Sequence, residues 1–299
     1  MPISAPRTLR VLMVPFCLAI PSFYAFCQEK KATVPAEKKA ASGLPLSTVS
    51  KTAAPRMLEV SLAGGVQSMT AKGLLFKPSD TAQTIGSQSD LSIKIFPFSK
   101  LGQSQIYSML GFSGRLQFGQ TNAADINDGS VGEKVGYYKL KQREMQAGLL
   151  VRLALLNNTL TPRVELSPSF RIQQTPEISG PLSKAAVLNY QARGLGTSLG
   201  LNYRTKGAFE FDLNALFGTS MQGHSTNISV DEVTSTSVNL QKASLFRISE
   251  RTSYIFKNFF SCLDISFASF DVTIPQDDIP SRTISQKTTA AAIGVGAFL

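Results

Sequence analysis

The chain has 299 residues, a formal net charge of +10, 17% charged residues, 22 Gly, 19 Phe, no Trp and one His. Its mean hydropathy of +0.04, without an apolar run of about 18 residues after the N-terminal region, excludes a bundle of transmembrane helices. The 30 basic residues are spread along the chain without a dense cluster, which argues against nucleic-acid binding.

The N-terminal segment has the parts of a secretory signal peptide. Arg7 and Arg10 supply a positive start, residues 11–20 form an apolar core, and residues 25–27 form a short exit. We therefore expect residues 1–27 to be removed on export. A retained membrane anchor is the alternative.

Residues 28–56 are rich in Lys, Ala, Pro and Ser and show no apolar periodicity. This composition is typical of a flexible chain, so we interpret the segment as a tether. Once the signal peptide is removed, Cys262 is the one remaining cysteine, and an internal disulfide is excluded.

From Met57 to Leu299, apolar and polar residues alternate with a period of two. In the stretch IYSMLGFSGRLQF, residues 106–118, most even positions carry apolar side chains such as Leu110, and the odd ones include polar side chains such as Arg115. Strand side chains point alternately to opposite faces, so this pattern predicts strands with one oily and one polar face. The alternation recurs in stretches that begin near Leu58, Leu91, Ala147, Val164, Leu195, Phe209, Leu263 and Ala291.

The connections between these stretches have two lengths, and short and long ones alternate. Short connections occur near residues 99–102, 157–158, 205–207 and 257–258, and long polar ones occur near residues 77–87, 121–135, 176–186, 222–236 and 275–280. A soluble sandwich gives no reason for this alternation. A membrane barrel does, because its strands are joined by short turns at one end and longer loops at the other.

The sequence therefore predicts an all-β fold for residues 57–299: an antiparallel up-and-down transmembrane β-barrel of about ten strands, with eight or twelve as alternatives. In this general pattern the region resembles the bacterial outer-membrane β-barrel proteins. The resemblance implies location in the bacterial cell outer membrane, a periplasmic tether, contact with outer-membrane lipid and lipopolysaccharide, and a last strand that the barrel-assembly machinery reads. Such a strand usually has alternating hydrophobic residues and a terminal aromatic residue. AAAIGVGAFL has the alternation, but it ends in Leu299, and its aromatic residue, Phe298, stands one position before the end. The oligomeric state is not predicted.

Two places depart from the alternation. Pro162 and Pro168 share one strand, and each lacks the backbone N–H that would donate to the neighbouring strand, which predicts a bulge or a poorly paired region. Glu250 falls on the oily face, where a carboxylate is unfavourable, so we expect a bulge or a position above the membrane.

Aromatic residues near the connections predict two girdles at the membrane surfaces. A periplasmic girdle is expected from the residues that flank three short turns, namely Phe96, Phe98, Tyr203, Phe209, Phe256 and Phe259. An outer girdle is expected from residues beside long loops, namely Tyr137, Tyr138 and Tyr190.

The sequence predicts no catalytic, cofactor-binding or metal-binding residues. His224 and Cys262 alone cannot build a metal site, and DINDG at residues 125–129 lacks the EF-hand spacing and is interpreted as a solvated turn. The omptin surface proteases resemble the chain in approximate size and topology, but Gln222 stands where their motif has an Asp two residues before His. The adjacent acids at residues 277 and 278 are expected to be solvated.

The charged residues on the polar face are expected to point into the lumen. Two functions follow from them: a packed interior held by ion pairs, with external loops that contact surface components or maintain the envelope, or a narrow charge-selective pore. The first, non-enzymatic function is the main prediction, and a surface hydrolase is a third alternative. The predicted lumen charges are Arg115, Arg152, Arg163, Glu165, Arg171, Arg204, Glu210, Asp212 and Asp264.

Overall fold

The computed structural model describes residues 56–74, 80–99, 109–128, 132–153, 159–180, 183–205, 207–229, 235–240, 242–274 and 282–299. The predicted signal peptide at residues 1–27 and all of the tether except Arg56 lie outside the described residues. Within these ranges, no helix has the length and apolar character needed to cross a membrane.

The described residues form twelve strands, each antiparallel to its neighbours. Because β1 pairs with both β2 and β12, the sheet closes into a ring. β4 continues the wall of β3, and β9 extends the wall of β10, so ten of the twelve strands make the ring, which confirms the predicted fold. The strands are β1 (Leu58–Lys72), β2 (Asp80–Ile95), β3 (Leu110–Thr121), β4 (Ala124–Asp128), β5 (Lys134–Arg152), β6 (Leu160–Gly180), β7 (Ser183–Arg204), β8 (Phe209–Ser229), β9 (Ser235–Asn239), β10 (Lys242–Phe256), β11 (Phe259–Ile274) and β12 (Arg282–Phe298).

The predicted oily face points outward, and it forms an apolar belt around the half of the barrel that carries the short turns. We call this half the turn end and the other the loop end. Leu199 is 54% exposed and Phe112 is also 54% exposed, whereas the intervening polar side chains point inward. Arg115 is one of these inward residues. Further exposed members of the belt include Leu62, Val66, Leu149, Val151, Leu166, Leu213, Leu263, Ile265, Ile293 and Val295.

The predicted long connections are largely strand. β6 continues to Gly180 and β7 begins at Ser183, so the loop predicted at residues 176–186 is the tip of a β-hairpin. These two strands have 21 and 22 residues, about twice the 9–11 that cross a membrane, so the loop end projects beyond the bilayer. The predicted loop at residues 275–280 lies outside the described residues. β3 begins at Leu110, and most of the turn predicted at residues 99–102 lies outside the described residues.

A bulge in β6 exchanges the two faces of the strand. Ser167 pairs with Gly196 of β7, and Phe170 pairs with Gly194. Two residues of β6, 168 and 169, therefore stand opposite the single residue 195 of β7. The bulge predicted from the prolines is thereby confirmed. Its consequence was not predicted: beyond it, Phe170 and Ile172 point into the barrel and Arg171 points outward.

The interior of the loop end is therefore apolar, and its outer surface is polar. Outside the bilayer the surroundings are water, so apolar side chains gain by turning inward, as in a soluble barrel. A similar bulge in β8, between its pairings with Arg193 and Leu195, makes the same exchange. The buried cluster includes Met69, Ile126, Tyr138, Leu140, Phe170, Ile172, Leu216, Met221, Leu245, Phe270 and Ile284.

The predicted girdles are only partly correct. Phe98, Phe209, Phe256 and Phe259 are exposed at the turn end, as a periplasmic girdle requires. Phe96 and Tyr138, by contrast, are buried inside the barrel, so their assignment to girdles was wrong. Tyr137 is exposed at the loop end, and the side chain of Tyr190 lies outside the description.

Glu250 lies on the outward face of β10, within the apolar belt. It pairs with Leu213 and Ile265 in a regular register, and the irregularity in the pairing of β10 with β8, between Ala243 and Leu245, comes from the extra residue of β8. The bulge or raised position expected at Glu250 is therefore wrong. Nothing among the described residues explains a carboxylate at this position.

Substitution of Leu199 by arginine tests the assignment of the outer face. A cation placed in the apolar belt is expected to cost about 2 to 4 kcal/mol near the bilayer midplane. The measurement is the free energy of unfolding of the barrel in lipid vesicles. Leu199→Phe, which keeps the position apolar, is the control and is expected to be near neutral; equal losses for both variants would show that Leu199 does not face lipid.

Candidate functional site

The barrel interior at the turn end holds most of the ionisable side chains that the strands turn inward. Eight of the nine predicted lumen charges point inward; the exception is Arg171, which the bulge in β6 turns to the outer surface. Six further interior charges were not predicted, although they occupy the same alternate strand positions as the predicted ones. These are Glu59, Asp90, Lys94, Glu144, Arg247 and Arg251.

One ion-pair network crosses the interior of the turn end. Lys94 of β2 lies 3.1 Å from the carboxylate of Glu59 and 3.7 Å from that of Asp212. Because the ring order places β8 opposite β2, the contact between Lys94 and Asp212 spans the barrel. Arg163 of β6 also binds Asp212, and Gly200 leaves the space for it, since a Cβ there would lie 2.9 Å from the guanidinium.

Arg251 extends this network around the wall. Its guanidinium forms two hydrogen bonds to the carboxylate of Asp264, at 2.6 and 3.0 Å, and donates to the hydroxyl of Ser61 at 3.1 Å. It also lies 3.8 Å from Glu59, so β10, β11 and β1 are joined through one side chain. A two-pronged guanidinium–carboxylate contact is among the stronger charged hydrogen bonds.

Glu165 is the centre of a hydrogen-bond network in the interior of the turn end. Its carboxylate accepts hydrogen bonds from Ser113 at 2.5 Å, Gln146 at 2.6 Å, Ser167 at 3.0 Å and Ser198 at 3.4 Å. The donors come from β3, β5, β6 and β7. Four donors from four strands thereby satisfy the hydrogen-bond acceptors of this half-buried carboxylate.

Arg115 holds Asp90 on the neighbouring strand. The Nε and one terminal nitrogen of Arg115 each lie 2.6 Å from the same oxygen of the Asp90 carboxylate. The charge in the apolar-looking stretch 106–118 is thus one half of an interior ion pair.

Arg247 and Glu144 make the most buried ion pair that the structure describes. The guanidinium of Arg247 donates two hydrogen bonds of 2.6 Å to the two oxygens of Glu144, and both side chains are almost fully buried. β10 and β5 lie on nearly opposite walls of the ring, so this pair is a second connection across the lumen.

A layer of amides separates the ion pairs from the apolar interior. The amide nitrogen of Gln174 donates to Gln286 at 2.8 Å and to Gln142 at 3.1 Å, and Gln286 donates to the hydroxyl of Tyr138 at 3.2 Å. β6 and β12 stand opposite each other, so the contact between Gln174 and Gln286 is a third connection across the barrel. Above it, apolar side chains fill the interior.

The mouth at the turn end is lined by arginines. Arg56 lies 2.8 Å from the carboxylate of Glu210 and stacks on the ring of Phe298, 3.4 Å from its centre. Arg152 covers Phe96 at 3.6 Å from the ring centre. Both arginines lie over aromatic rings in cation–π contacts.

One small cavity lies among the ion pairs of the turn end. A cavity of about 110 Å³ lies among Asp90, Arg115, Glu165, Asp212 and Arg251, enough for a few water molecules.

None of the described residues form a group of three or more His, Cys, Asp or Glu that could hold a metal ion. The residues predicted to form a solvated turn at 125–129 partly form β4, with Asp125 paired to Lys134 at 3.0 Å. Residues 277 and 278 lie outside the described ranges, as does the side chain of His224.

A closed antiparallel ring with an apolar outer belt and a charged interior defines an outer-membrane β-barrel. The bacterial outer membrane is the location for which such a surface is built.

Comparison with solved structures finds a match with a TM-score above 0.5, which has a similar fold. The chain is similar to the outer membrane protease OmpT from Escherichia coli, with a TM-score of 0.52 and 9% identity, over 82% of this chain and 97% of that one. It also matches the translocator domain of the autotransporter NalP from Neisseria meningitidis, with a TM-score of 0.40 and 11% identity, over 81% and 88% of the two chains. Neisserial surface protein A matches with a TM-score of 0.34 and 9% identity, over 80% and 97%. No protein-family model matches the sequence, and no curated protein matches it.

Proposed function

We propose that the protein is a non-enzymatic barrel with a sealed interior, whose projecting loop end contacts lipopolysaccharide, another surface component or a partner and thereby supports the envelope. The observation that carries this proposal is the set of connections across the lumen, Lys94 to Asp212, Glu144 to Arg247 and Gln174 to Gln286. A solute would have to break them and then pass the apolar cluster above. The expected partners are outer-membrane lipid and, during assembly, the barrel-assembly machinery.

Planar-bilayer recording tests the sealed interior. Refolded wild-type protein is expected to give no stable conductance steps, because ions would have to cross an apolar region without water. Stable steps would favour the narrow pore instead, provided that the current passes through the lumen.

Two cysteine variants locate the path of any current. In a Cys262→Ala background, Ser198→Cys places a thiol beside the interior cavity, and Leu199→Cys places one on the outer belt. Steps that a bulky thiol reagent blocks in the first variant and not in the second would contradict the sealed interior. A broad peptide and lipid hydrolysis screen completes the test, and reproducible turnover by the purified barrel would favour the hydrolase.

A further inference from the structure

Three arginines form a row across the outer wall of the barrel. Arg171 of β6 stands directly opposite Arg193 of β7, and Arg143 of β5 stands opposite Gln173, two residues along β6 from Arg171. Arg143 and Arg193 are exposed and Arg171 is half-buried. We call Arg143, Arg171 and Arg193 the arginine row.

Within the described part of the chain, the arginine row has no carboxylate to balance it. Inside the barrel, Arg115, Arg163, Arg247 and Arg251 each have an acidic partner. Among the described residues, no acid lies within ion-pair distance of any member of the row. Like charges that face each other across neighbouring strands are destabilising, so an anion from outside the chain would relieve the repulsion.

The arginine row lies at the edge of the apolar belt. Toward the turn end, the next outward residues on β5 and β7 are Met145 and Leu195, both exposed and apolar, and on β6 the exposed Leu166 follows after the bulge residues. Toward the loop end the outward residues are polar, as at Lys141 and Gln173. This boundary is the level at which the acyl chains of the outer leaflet end and the lipid headgroups begin.

A groove beside the row offers room for a headgroup. Its volume is about 560 Å³, and Lys141, Arg143, Phe118, Gln120, Gln173 and Thr175 line it. The guanidinium of Arg143 lies 5.5 Å from the ring centre of Phe118, a cation–π contact that orients it beside the groove. Guanidinium groups suit phosphate because their donors match two of its oxygens at once.

We propose that the arginine row and its groove bind the phosphate groups of a phosphorylated glycolipid of the outer leaflet, whose acyl chains lie against the belt below. This inference rests on the proposed contact between the barrel and surface lipid, and it assigns that contact to one wall. The lipid would supply the negative charge that no described acid places within ion-pair distance of the arginine row.

Lipid retention by the full chain tests the proposal. Wild-type protein is equilibrated with nanodiscs or mixed micelles containing diphosphoryl lipid A, and bound lipid is measured by native mass spectrometry. The test variant is Arg143→Gln/Arg171→Gln/Arg193→Gln, and the matched control is Lys72→Gln/Lys242→Gln/Lys287→Gln, which removes the same charge from the exposed outer face of β1, β10 and β12. We expect the test variant to bind about a hundredfold more weakly than wild type, the effect of three cations near an anionic lipid surface, and the control to bind like wild type.

Two further probes identify what the row recognises. Dephosphorylated lipid A should be retained poorly by wild-type protein, and millimolar inorganic phosphate should not displace the diphosphoryl form. Equal loss in the test and control variants, equal retention of the dephosphorylated lipid, or full displacement by inorganic phosphate would each overturn the lipid site.

The unfolding of the test variant in lipid-free detergent guards against a folding artefact. Removing three like charges should leave the apparent melting temperature unchanged or raise it, because the repulsion is gone. A large fall would overturn the claim that the row is unbalanced without lipid. Conductance through the wild-type lumen would contradict the sealed interior but leave lipid retention unaffected, so the two proposals fail separately.

Discussion

Glu144→Ala is expected to lower the free energy of unfolding by about 3 to 5 kcal/mol, because it leaves the guanidinium of Arg247 buried without its counter-ion. Both hydrogen bonds between these residues are 2.6 Å long, and neither side chain has appreciable contact with solvent. The measurement is equilibrium unfolding by guanidinium chloride in detergent micelles, followed by gel mobility of the folded barrel.

A double variant separates the cost of a lone charge from the value of the pair. Glu144→Leu/Arg247→Leu removes both charges and is expected to be much closer to wild type than Glu144→Ala, since apolar replacements of a buried pair are often neutral. The exposed pair Asp125 and Lys134 supplies the surface control, and Asp125→Ala should cost less than about 1 kcal/mol. A double variant as unstable as Glu144→Ala would mean that the pair itself, and not the uncompensated charge, stabilises the barrel.

The outer belt could be predicted from the sequence because one physical rule governs every strand that crosses the bilayer. Lipid selects apolar side chains on the outward face, so the alternation of positions along each strand is enough to assign Leu199 outward and Arg163 inward. The rule needs no knowledge of which strands are neighbours. It therefore also recovers the direction of Arg115, although not its partner Asp90.

The connections across the lumen could not be predicted in the same way. Lys94 meets Asp212 only because closure of a ring of ten strands places β2 opposite β8. Which inward side chains share a level depends on the stagger of every strand between them, and each bulge changes that stagger. The sequence therefore indicates which charges point inward, but it does not indicate the level of each charge along the barrel axis.

The loop end was misassigned because the environment changes along a strand while the alternation continues. Beyond the bilayer, water replaces lipid outside, so the apolar face has to turn inward, and one extra residue in β6 makes that change. The prolines predicted the bulge at this position. A period-two pattern applied across it nevertheless assigned Phe170 and Ile172 to lipid and Arg171 to the lumen, the reverse of their positions.

Phe170→Ala distinguishes the two assignments of this face. Phe170 is 0% exposed in the interior cluster, so its truncation is expected to leave a cavity and cost about 3 to 5 kcal/mol. Leu166, on the same strand before the bulge, is 48% exposed on the belt. Leu166→Ala is the control and should cost about 1 kcal/mol or less in detergent, because the detergent fills the space that the side chain leaves. Both variants are compared by equilibrium unfolding in the same micelles. If Phe170→Ala were as mild as Leu166→Ala, Phe170 would face the surroundings and the exchange of faces in β6 would be wrong.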